Sequence, residues 1–442
     1  MSYTAAIDQL NAMVAELYTR PGQARRKFSL GEVRALLGAL GDPQRRFPSV
    51  LIAGTNGKGS TAATLASILT ASGLRTGLYT SPHLARANER IRVDGVEIAD
   101  EAFAGAFFRV HEAAEQLVRE GQLAQLPSFF EVLTAMAFRH FAEAGVEIAV
   151  VEVGMGGRLD ATNVLDPLLS VITDISLDHT EWLGPTIAAI TREKAGILRA
   201  GGTLVTLTQH PEANQVLGEE AARLGVRGIS AAAFMPPLGA DPARPYSVDA
   251  LGEAIEVDSP LTGAHQHRNL ALAIAAAVEL AGKPAFPVTA ASIAAGIRQT
   301  RWPGRLEHIR RNGVEWILDV AHNPAGAWAL RAGLNGVLRE DRPRTLVFSC
   351  LRDKPVAEMA QILFLLFDRV IVAPLHAARA AGIEELIAAA KGAGSTAVAA
   401  ESVAQALQAA EEDAGGGVIV VSGSVYLVGE ARGLLLGERG VD

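Results

Sequence analysis

The segment SVLIAGTNGKGSTAATLASIL, from Ser49 to Leu69, constrains the fold more than any other part of the chain. It is an apolar run, then a loop containing Gly54, Gly57 and Gly59, then a helical pattern. Glycines let backbone N–H groups approach phosphate oxygens closely, and the N-terminus of the following helix adds positive potential. Lys58, between two of the glycines, supplies a point charge. The segment therefore predicts a strand–loop–helix unit that binds a nucleotide.

The spacing of this loop departs from the Walker A pattern, which places a glycine four residues before Gly-Lys-Ser/Thr. Here Ile52 occupies the position of the first glycine, and Gly59 separates Lys58 from Ser60. The hydroxyl of Ser60 or Thr61 remains available to Mg²⁺ or to a phosphate. The alternative interpretation is a glycine-rich turn without a ligand, and the lysine at the helix start makes it the weaker one.

Apolar runs alternate with helical patterns along the rest of the chain. Strands are predicted within Glu147–Gly154, Leu168–Ser176 and Gly202–Thr208, and continuous apolar strands favour a parallel sheet covered on both faces. Residues 231–262 are predicted to form loops and short edge strands, before a helix that follows His265 and ends at a glycine.

The stretch TRWPGR, residues 300–305, has the composition of a hinge, and further apolar runs follow it: EWILDV, RTLVFSC, DRVIVAP and GGVIVVSGS. The predicted fold is α/β, with a parallel-rich sheet in residues 1–302 and a smaller, doubly wound Rossmann-like domain in residues 303–442.

Composition excludes several functional classes. The 442 residues carry a net charge of −8, which argues against a nucleic-acid partner and leaves room for a small anionic substrate. The single cysteine, Cys350, excludes an internal disulfide and a thiolate metal cluster. The N-terminus lacks the pattern of a secretory signal, and charges interrupt the most apolar run, so we expect a cytoplasmic protein without a membrane partner.

Three polar residues lie at the ends of predicted strands, where open α/β sheets bind ligands: Ser81, Glu152 and His179. Each has an ordinary structural explanation when taken alone, as a helix cap, half of a buried ion pair and a loop histidine. Around a nucleotide loop, the three together could hold Mg²⁺, which needs few protein ligands beside phosphates and water. Histidine is an unusual ligand for that ion.

Eight motifs occur in an order that resembles one known family: AGTNGKGS, SPHL, EVGMGGRLDATN, DHTEWLG, EKAGI, GAHQHRN, WPGRLE and LDVAHNP. They are similar to the folylpolyglutamate synthase/dihydrofolate synthase family, within the wider group of Mur-type ATP-dependent amide ligases. The resemblance runs from about Phe28 to the C-terminal SGSVYLVGE. It implies a modified P-loop ATPase domain joined to a smaller Rossmann-like glutamate ligase domain.

The resemblance also implies roles for individual residues. ATP would contact the loop, a helix start, the hinge and the strand beyond it: Thr55, Asn56, Gly57, Lys58, Gly59, Ser60, Gln266, Asn269, Arg305 and Asp319. Two Mg²⁺ ions would be held by Ser81, Glu152, His179 and a carbamylated Lys194, although the residues alone suggest that Lys194 is an ordinary solvated lysine. Lys58, Lys194 and His322 would act in catalysis. The folate or dihydropteroate would contact Ser128, Phe129, Phe130, Glu131, Leu159, Asp160 and Ala161.

By this resemblance, the implied reaction is ATP-dependent ligation of L-glutamate to a folate and to dihydropteroate through an acyl phosphate, in a monomeric enzyme. A peptidoglycan-precursor ligase is the nearest alternative, but only about fifty residues precede the loop, too few for a nucleotide-sugar domain. A P-loop kinase or GTPase would be expected to show strict Walker A spacing. A non-catalytic nucleotide-binding regulator would bind ATP without turning it over.

Overall fold

The computed structural model describes residues 2–13, 29–242, 244–339, 341–375, 377 and 379–437. Two large sheets organise these residues. We call the part built on the first sheet the N-terminal lobe and the part built on the second sheet the C-terminal lobe. In this described part, no helix combines the length and the hydropathy needed to cross a bilayer.

The first sheet has eight strands among the described residues, in the spatial order β4-β3-β2-β5-β1-β6-β7-β8. β3 pairs antiparallel with β2 and with β4, and the other pairs are parallel. The strands are β1 Ser49–Ala53, β2 Thr76–Tyr79, β3 Ile91–Val93, β4 Val96–Glu97, β5 Ile148–Glu152, β6 Leu169–Ile172, β7 Thr203–Thr206 and β8 Arg227–Ser230.

Helices cover both faces of this sheet. Alternate residues of β1 enter different cores: Val50 and Ile52 pack on one face, Leu51 and Ala53 on the other. The helices of this lobe are α1 Tyr3–Ala12, α2 Leu30–Ala39, α3 Lys58–Ala71, α4 Asp100–Arg119, α5 Phe129–Glu143, α6 Thr180–Leu183, α7 Ile187–Ala195, α8 Pro211–Leu224, α9 Ala264–Ala281 and α10 Ala290–Gln299. α3, α9 and α10 cover one face, and α4 and α5 cover the other.

The second sheet belongs to the C-terminal lobe and has the order β11-β12-β16-β13-β14-β15 in the described residues. Only its first pair is antiparallel there. Its strands are β11 Glu307–Arg311, β12 Val314–Asp319, β13 Arg344–Phe348, β14 Arg369–Val372, β15 Ala397–Ala399 and β16 Val418–Ser422. The helices around it are α11 Pro324–Leu334, α12 Val356–Leu363, α13 Ile383–Gly392, α14 Val403–Glu412 and α15 Val425–Leu436.

The structure confirms the predicted α/β class, the parallel-rich first sheet and the second sheet after the hinge. The helix predicted near Lys58 begins at that residue, and α9 ends where Gly282 was expected to stop it. The short strands predicted within 231–262 are present as β9 Tyr246–Ala250 and β10 Glu253–Val257, which form a separate two-stranded sheet among the described residues and do not extend the first sheet. Their alternating apolar side chains, including Val248 and Ile255, pack against the core formed by α9 and α10.

Candidate active site

A cavity of about 440 Å³ lies between the two lobes, at the carboxyl ends of β1, β5 and β6. This is the edge at which open α/β sheets place their ligand sites. The structure brings together here every residue that the sequence assigned to nucleotide, metal or catalysis: Thr55, Asn56, Gly57, Lys58, Gly59, Ser60, Ser81, Glu152, His179, Lys194, Gln266, Asn269, Arg305, Asp319 and His322.

The phosphate loop connects β1 to α3, and hydrogen bonds to the segment that follows the neighbouring strand β6 hold it in place. The Thr55 amide donates to the carbonyl of Asp174 at 2.8 Å, and the Thr55 hydroxyl both accepts from the Ser176 amide and donates to its carbonyl. Gly57 has φ +86°, a conformation that glycine adopts without strain. The first turn of α3 has no acidic residue and no side-chain cap, so its N–H groups remain available to an anion.

Glu152 lies at the end of β5 and is almost fully buried. One carboxylate oxygen accepts a hydrogen bond from the Ser81 amide at 3.1 Å, and the other lies 4.0 Å from the Lys58 ammonium. Burial raises the pKa of Glu152, while the charge of Lys58 and the Ser81 hydrogen bond oppose that rise. The carboxylate that the sequence placed in an apolar strand thus faces the cation of the phosphate loop.

Lys194 is not a solvated helix lysine, because its side chain is buried beneath the phosphate loop. Its amine donates to the Gly54 carbonyl at 2.7 Å. Burial, assisted by the charge of Lys58, lowers the pKa of Lys194 to about 7. A lysine with this pKa is in large part a neutral amine at physiological pH, the form that reacts with CO₂.

Two histidines face each other across the lobes. His179 precedes α6 as its N-cap residue and has the left-handed conformation, and burial lowers its pKa to about 4. His322 follows β12, and burial together with the charge of Lys354 lowers its pKa. Its Nδ1 lies 2.8 Å from the Val320 carbonyl, so Nδ1 carries the proton in the neutral ring and Nε2 is left as an acceptor.

A carboxylate between the histidines, Asp178, was not predicted. It accepts hydrogen bonds from Lys354 Nζ at 2.7 Å and Asn323 Nδ2 at 3.0 Å, both in the C-terminal lobe. Asn323 also exchanges two side-chain hydrogen bonds with Asn56 of the phosphate loop. Burial alone would raise the pKa of Asp178, but the charges of His179 and Lys354 hold it well below its usual range. Their position along the chain could have indicated both residues, because Asp178 follows β6 and Lys354 follows β13, and open α/β sheets bind ligands beyond their strand ends.

The far end of the cavity is walled by α9 and the hinge. Asn269 Nδ2 donates to Gln266 Oε1 at 2.8 Å, while Gln266 Nε2 has no hydrogen-bond partner among the described residues despite its burial. The carboxylate of Asp319 accepts the backbone amides of Leu306 and Ala321, each at 2.9 Å. Arg305 is also in this wall, where burial lowers its pKa and Asp319 opposes that effect.

Comparison with known proteins decides the family. Residues 52–277 match the family described as the Mur ligase middle domain, and residues 304–425 match the Mur ligase, glutamate ligase domain. The dihydrofolate synthase/folylpolyglutamate synthase of Bacillus subtilis is 34% identical over 414 residues, which cover 92% of this chain and 94% of the relative.

The chain belongs to the folylpolyglutamate synthase/dihydrofolate synthase family.

Two solved structures of this family superpose along the chain. A Mycobacterium tuberculosis folylpolyglutamate synthase complexed with ADP and AMPPCP is 34% identical, covers 99% of this chain and 100% of its own, and has a TM-score of 0.85. Escherichia coli FolC in complex with DHPP and ADP is 30% identical, covers 99% and 98%, and has a TM-score of 0.83. The recognition of the family from its motifs is therefore confirmed.

The seven residues that the family resemblance assigned to the folate do not all line one cavity. Phe129 and Phe130 line a second cavity of about 430 Å³, which opens onto the first. Ser128 and Glu131 close the N-terminus of α5 through reciprocal hydrogen bonds. Leu159 and Asp160 line a separate cavity of about 90 Å³, and Ala161 is buried. The Asp160 carboxylate accepts the amides of Met155 and Thr162.

The chemistry of the first cavity fits the nucleotide and the metal that the family implies. The unpaired amide of Gln266 offers a donor to a base, and the glycines and helix N-terminus offer donors to phosphates. The described residues contain no group of three or more His, Cys, Asp or Glu close enough to hold a metal alone. The buried carboxylate of Glu152 lies beside the phosphate loop, and Mg²⁺ is held by one or two carboxylates together with substrate phosphates and water.

Proposed function

We propose that this protein ligates L-glutamate to a folate, and to dihydropteroate, at the expense of ATP. One observation carries the proposal: the cavity between the lobes joins a phosphate loop, a buried lysine with a lowered pKa and a histidine of the opposite lobe. Family membership supplies the substrate class. The Escherichia coli FolC structure is a complex with DHPP and ADP, so this relative binds a nucleotide together with a second ligand.

The first step is attack of the substrate carboxylate on the γ-phosphorus of ATP, which forms an acyl phosphate and releases ADP. Two anions must approach each other, so the site has to neutralise charge. We assign this role to Lys58 and to the N–H groups of α3, which point at the phosphates. Arg305 reaches the same cavity from the hinge, and Gln266 and Asn269 hold the base.

In the second step the amino group of L-glutamate attacks the acyl carbon, and phosphate leaves with the oxygen that the carboxylate supplied. The attacking amine must be neutral. We propose that His322 accepts a proton from the amine, because its Nε2 is the unprotonated nitrogen and its side chain lines the cavity. The two lobes exclude water from the acyl phosphate, which water would hydrolyse.

We propose that Ser81, Glu152, His179 and a carbamylated Lys194 are the protein ligands of two Mg²⁺ ions. Such ions would neutralise the phosphate oxygens during transfer. A carbamate converts the amine of Lys194 from a possible cation into an anionic oxygen ligand. The low pKa of Lys194 supports this, because only the neutral amine takes up CO₂.

Three further statements remain predictions. The boundary between the domains is placed between residues 302 and 303, in the Trp-Pro-Gly hinge. The enzyme is expected to be monomeric and to work in the cytoplasm, without a nucleic-acid or membrane partner. Ser128, Phe129, Phe130 and Glu131, with the 159–161 turn, remain the proposed contacts of the pterin.

Release of phosphate from ATP tests the proposal. We expect release that requires L-glutamate together with tetrahydrofolate or dihydropteroate. In Lys58→Ala, kcat should fall by about 10²- to 10³-fold, whereas the exposed Lys391→Ala should leave it unchanged. If protein that binds ATP releases no phosphate with either acceptor, the assignment of folate substrates is wrong. Turnover with tetrahydrofolate alone would restrict the activity to polyglutamylation.

A further inference from the structure

One segment of the N-terminal lobe, residues 81–90, contacts the C-terminal lobe beside the proposed reaction site. It begins with Ser81, which lines both the nucleotide cavity and the second cavity. Three residues later, the Leu84 side chain packs against a core of the C-terminal lobe that includes Val320 and Val428. The segment therefore connects a proposed metal ligand to the opposite lobe.

Two glycines make room for Leu84, one in the hinge and one in α15. A Cβ added at Gly429 of α15 would lie 1.8 Å from the carbonyl oxygen of Leu84 and 2.6 Å from its carbonyl carbon. A Cβ added at Gly304 of the hinge would lie 3.3 Å from Leu84 Cδ2. The backbone of Leu84 thus touches the backbone of α15 directly, an approach that requires a residue without a side chain at position 429.

The side chain of Glu89 holds the backbone of the 81–90 segment in place. Its carboxylate accepts hydrogen bonds from the amides of Leu84, Ala85 and Arg86, at 2.8, 2.7 and 2.8 Å. Hydrogen bonds to a charged acceptor are roughly twice as strong as those between neutral groups. The Leu84 carbonyl is therefore a fixed feature of the N-terminal lobe, and α15 has to adjust to it.

Other contacts between the lobes follow strands on the far side of β5. Asn56 and Asp178, which both form hydrogen bonds with Asn323, follow β1 and β6. Leu84 follows β2, and β5 lies between β2 and β1 in the sheet. The lobes are therefore joined on both sides of β5, which ends at Glu152. A second contact restrains a rotation of the lobes that a single contact would permit.

Helix α15 links this contact to the cavity walls. It begins at Val425, which lines both cavities, and Gly429 lies about one turn farther along. With a Cβ at Gly429 the two backbones would have to separate by about 1.2 Å, from 1.8 Å to the 3.0 Å below which such atoms essentially never lie. Because α15 and β12 share one core, this displacement would also move His322, which follows β12, relative to Ser81.

We propose that Leu84 and Gly429 are positioning residues, which hold the C-terminal lobe in the register that the amine needs to attack the acyl phosphate. The inference rests on the proposed function. Attack by the amine forms the amide and releases phosphate. Attack by water on the same carbon restores the acceptor carboxylate and releases phosphate, so that one ATP is consumed without an amide. Only the first reaction depends on groups of the C-terminal lobe, and a misplacement of about 1 Å can slow such a reaction about 100-fold.

The test compares Gly429→Ala with Gly433→Ala. Gly433 lies about one turn farther along α15, and nothing outside its own helix lies within 4 Å of its added Cβ. Both substitutions add the same methyl group to the same helix, so their effects on helix propensity are matched. ADP and glutamylated product are measured together at saturating ATP, tetrahydrofolate and L-glutamate, which gives the number of ADP molecules formed for each glutamate added. Binding of ATP to each variant shows that the protein is folded.

In Gly429→Ala we expect kcat for glutamate addition to fall about 10- to 100-fold and the ratio of ADP to added glutamate to rise from about one to at least about three. The Kd for ATP should change less than about twofold, and Gly433→Ala should keep the wild-type ratio. Leu84→Ala removes the side chain from the hinge but keeps the backbone; it should raise the ratio less, and it decides the question if Gly429→Ala does not fold.

A ratio of about one in both Gly429→Ala and Leu84→Ala would overturn the inference whatever their kcat, because a purely structural defect lowers the amount of active enzyme without changing the ratio. Gly433→Ala with the same raised ratio as Gly429→Ala would also overturn it. Wild-type protein without glutamate-dependent ADP release would refute the proposed function itself.

Discussion

Gly57→Ala is the sharpest perturbation of the phosphate loop. Gly57 has φ +86°, and a Cβ at this position would lie 2.1 Å from Asn269 Oδ1. Asn269 must therefore move away from the loop, and its hydrogen bond to Gln266 breaks. Because both side chains are assigned to the base of ATP, the substitution should weaken ATP binding even though it adds only one methyl group.

The magnitude has two separable parts. A non-glycine residue with positive φ costs about 1–2 kcal/mol, which lowers the stability of the free and the bound protein alike. Displacement of Asn269 costs the hydrogen bond and leaves buried polar groups unpaired, about 1–3 kcal/mol. This second part also lowers the stability of the free protein. The same displacement removes a contact assigned to the base of ATP, and the loss of that contact corresponds to an increase in the Kd for ATP of about 5- to 150-fold.

Gly73→Ala provides a matched control at the other end of α3. Gly73 has φ +81°, but nothing lies within 4 Å of its added Cβ. Isothermal titration calorimetry should show the loss of ATP affinity in Gly57→Ala only, while thermal unfolding should show a destabilisation of both variants that is larger in Gly57→Ala. Equal Kd values for ATP in the two variants would refute the proposed contact between Asn269 and the nucleotide.

Two further predictions concern the buried lysines. If Lys194 is carbamylated, protein stripped of CO₂ should lose activity and regain it at fixed dissolved CO₂. The initial rate of recovery should rise about tenfold from pH 6 to pH 8, because the fraction of neutral amine increases through a pKa of about 7. A ¹³C carbamate resonance that is absent from Lys194→Met would identify the site. Recovery at a rate independent of pH would contradict the assignment. Asp178→Asn leaves the buried cation of Lys354 without its hydrogen-bonded anion, and it should lower the free energy of unfolding in urea by about 3–5 kcal/mol. Asp353→Asn, which alters a longer and more exposed ion pair, should change that free energy by less than about 1 kcal/mol. Equal losses of unfolding free energy in Asp178→Asn and Asp353→Asn would mean that the ion pair between Asp178 and Lys354 does not stabilise the contact between the lobes.

The sequence predicted well those features that depend on local patterns. Apolar runs marked the central strands, and the Gly-Lys-Gly loop marked the start of α3. Ser81, Glu152 and His179 were also found, because each lies at a strand end and parallel strands end at one edge of a sheet. The meeting of these three residues in one cavity follows from this topology. Lys194 and Gln266, which lie in helices, came from the resemblance to the family.

Features that depend on contacts between the lobes were not predicted. The pairing of Asp178 with Lys354 joins residues far apart in the chain, and neither one stands out in its local segment. The burial of Lys194 could not be predicted either, because charged residues surround it in its helix and the Gly54 carbonyl that it contacts is distant in sequence. The separate sheet that β9 and β10 form was not predicted, because short alternating strands do not reveal which core they cover.

Transfer of ¹⁸O from the acceptor tests the central claim most directly. Tetrahydrofolate, labelled with ¹⁸O in its terminal carboxylate, would be incubated with ATP, Mg²⁺ and L-glutamate, and the released phosphate would be analysed by mass spectrometry. An acyl phosphate that forms at the Lys58 loop and is then attacked by the amine leaves one labelled oxygen in each phosphate, with one ADP formed for each glutamate added. Unlabelled phosphate, or label found in AMP, would contradict this account of the reaction.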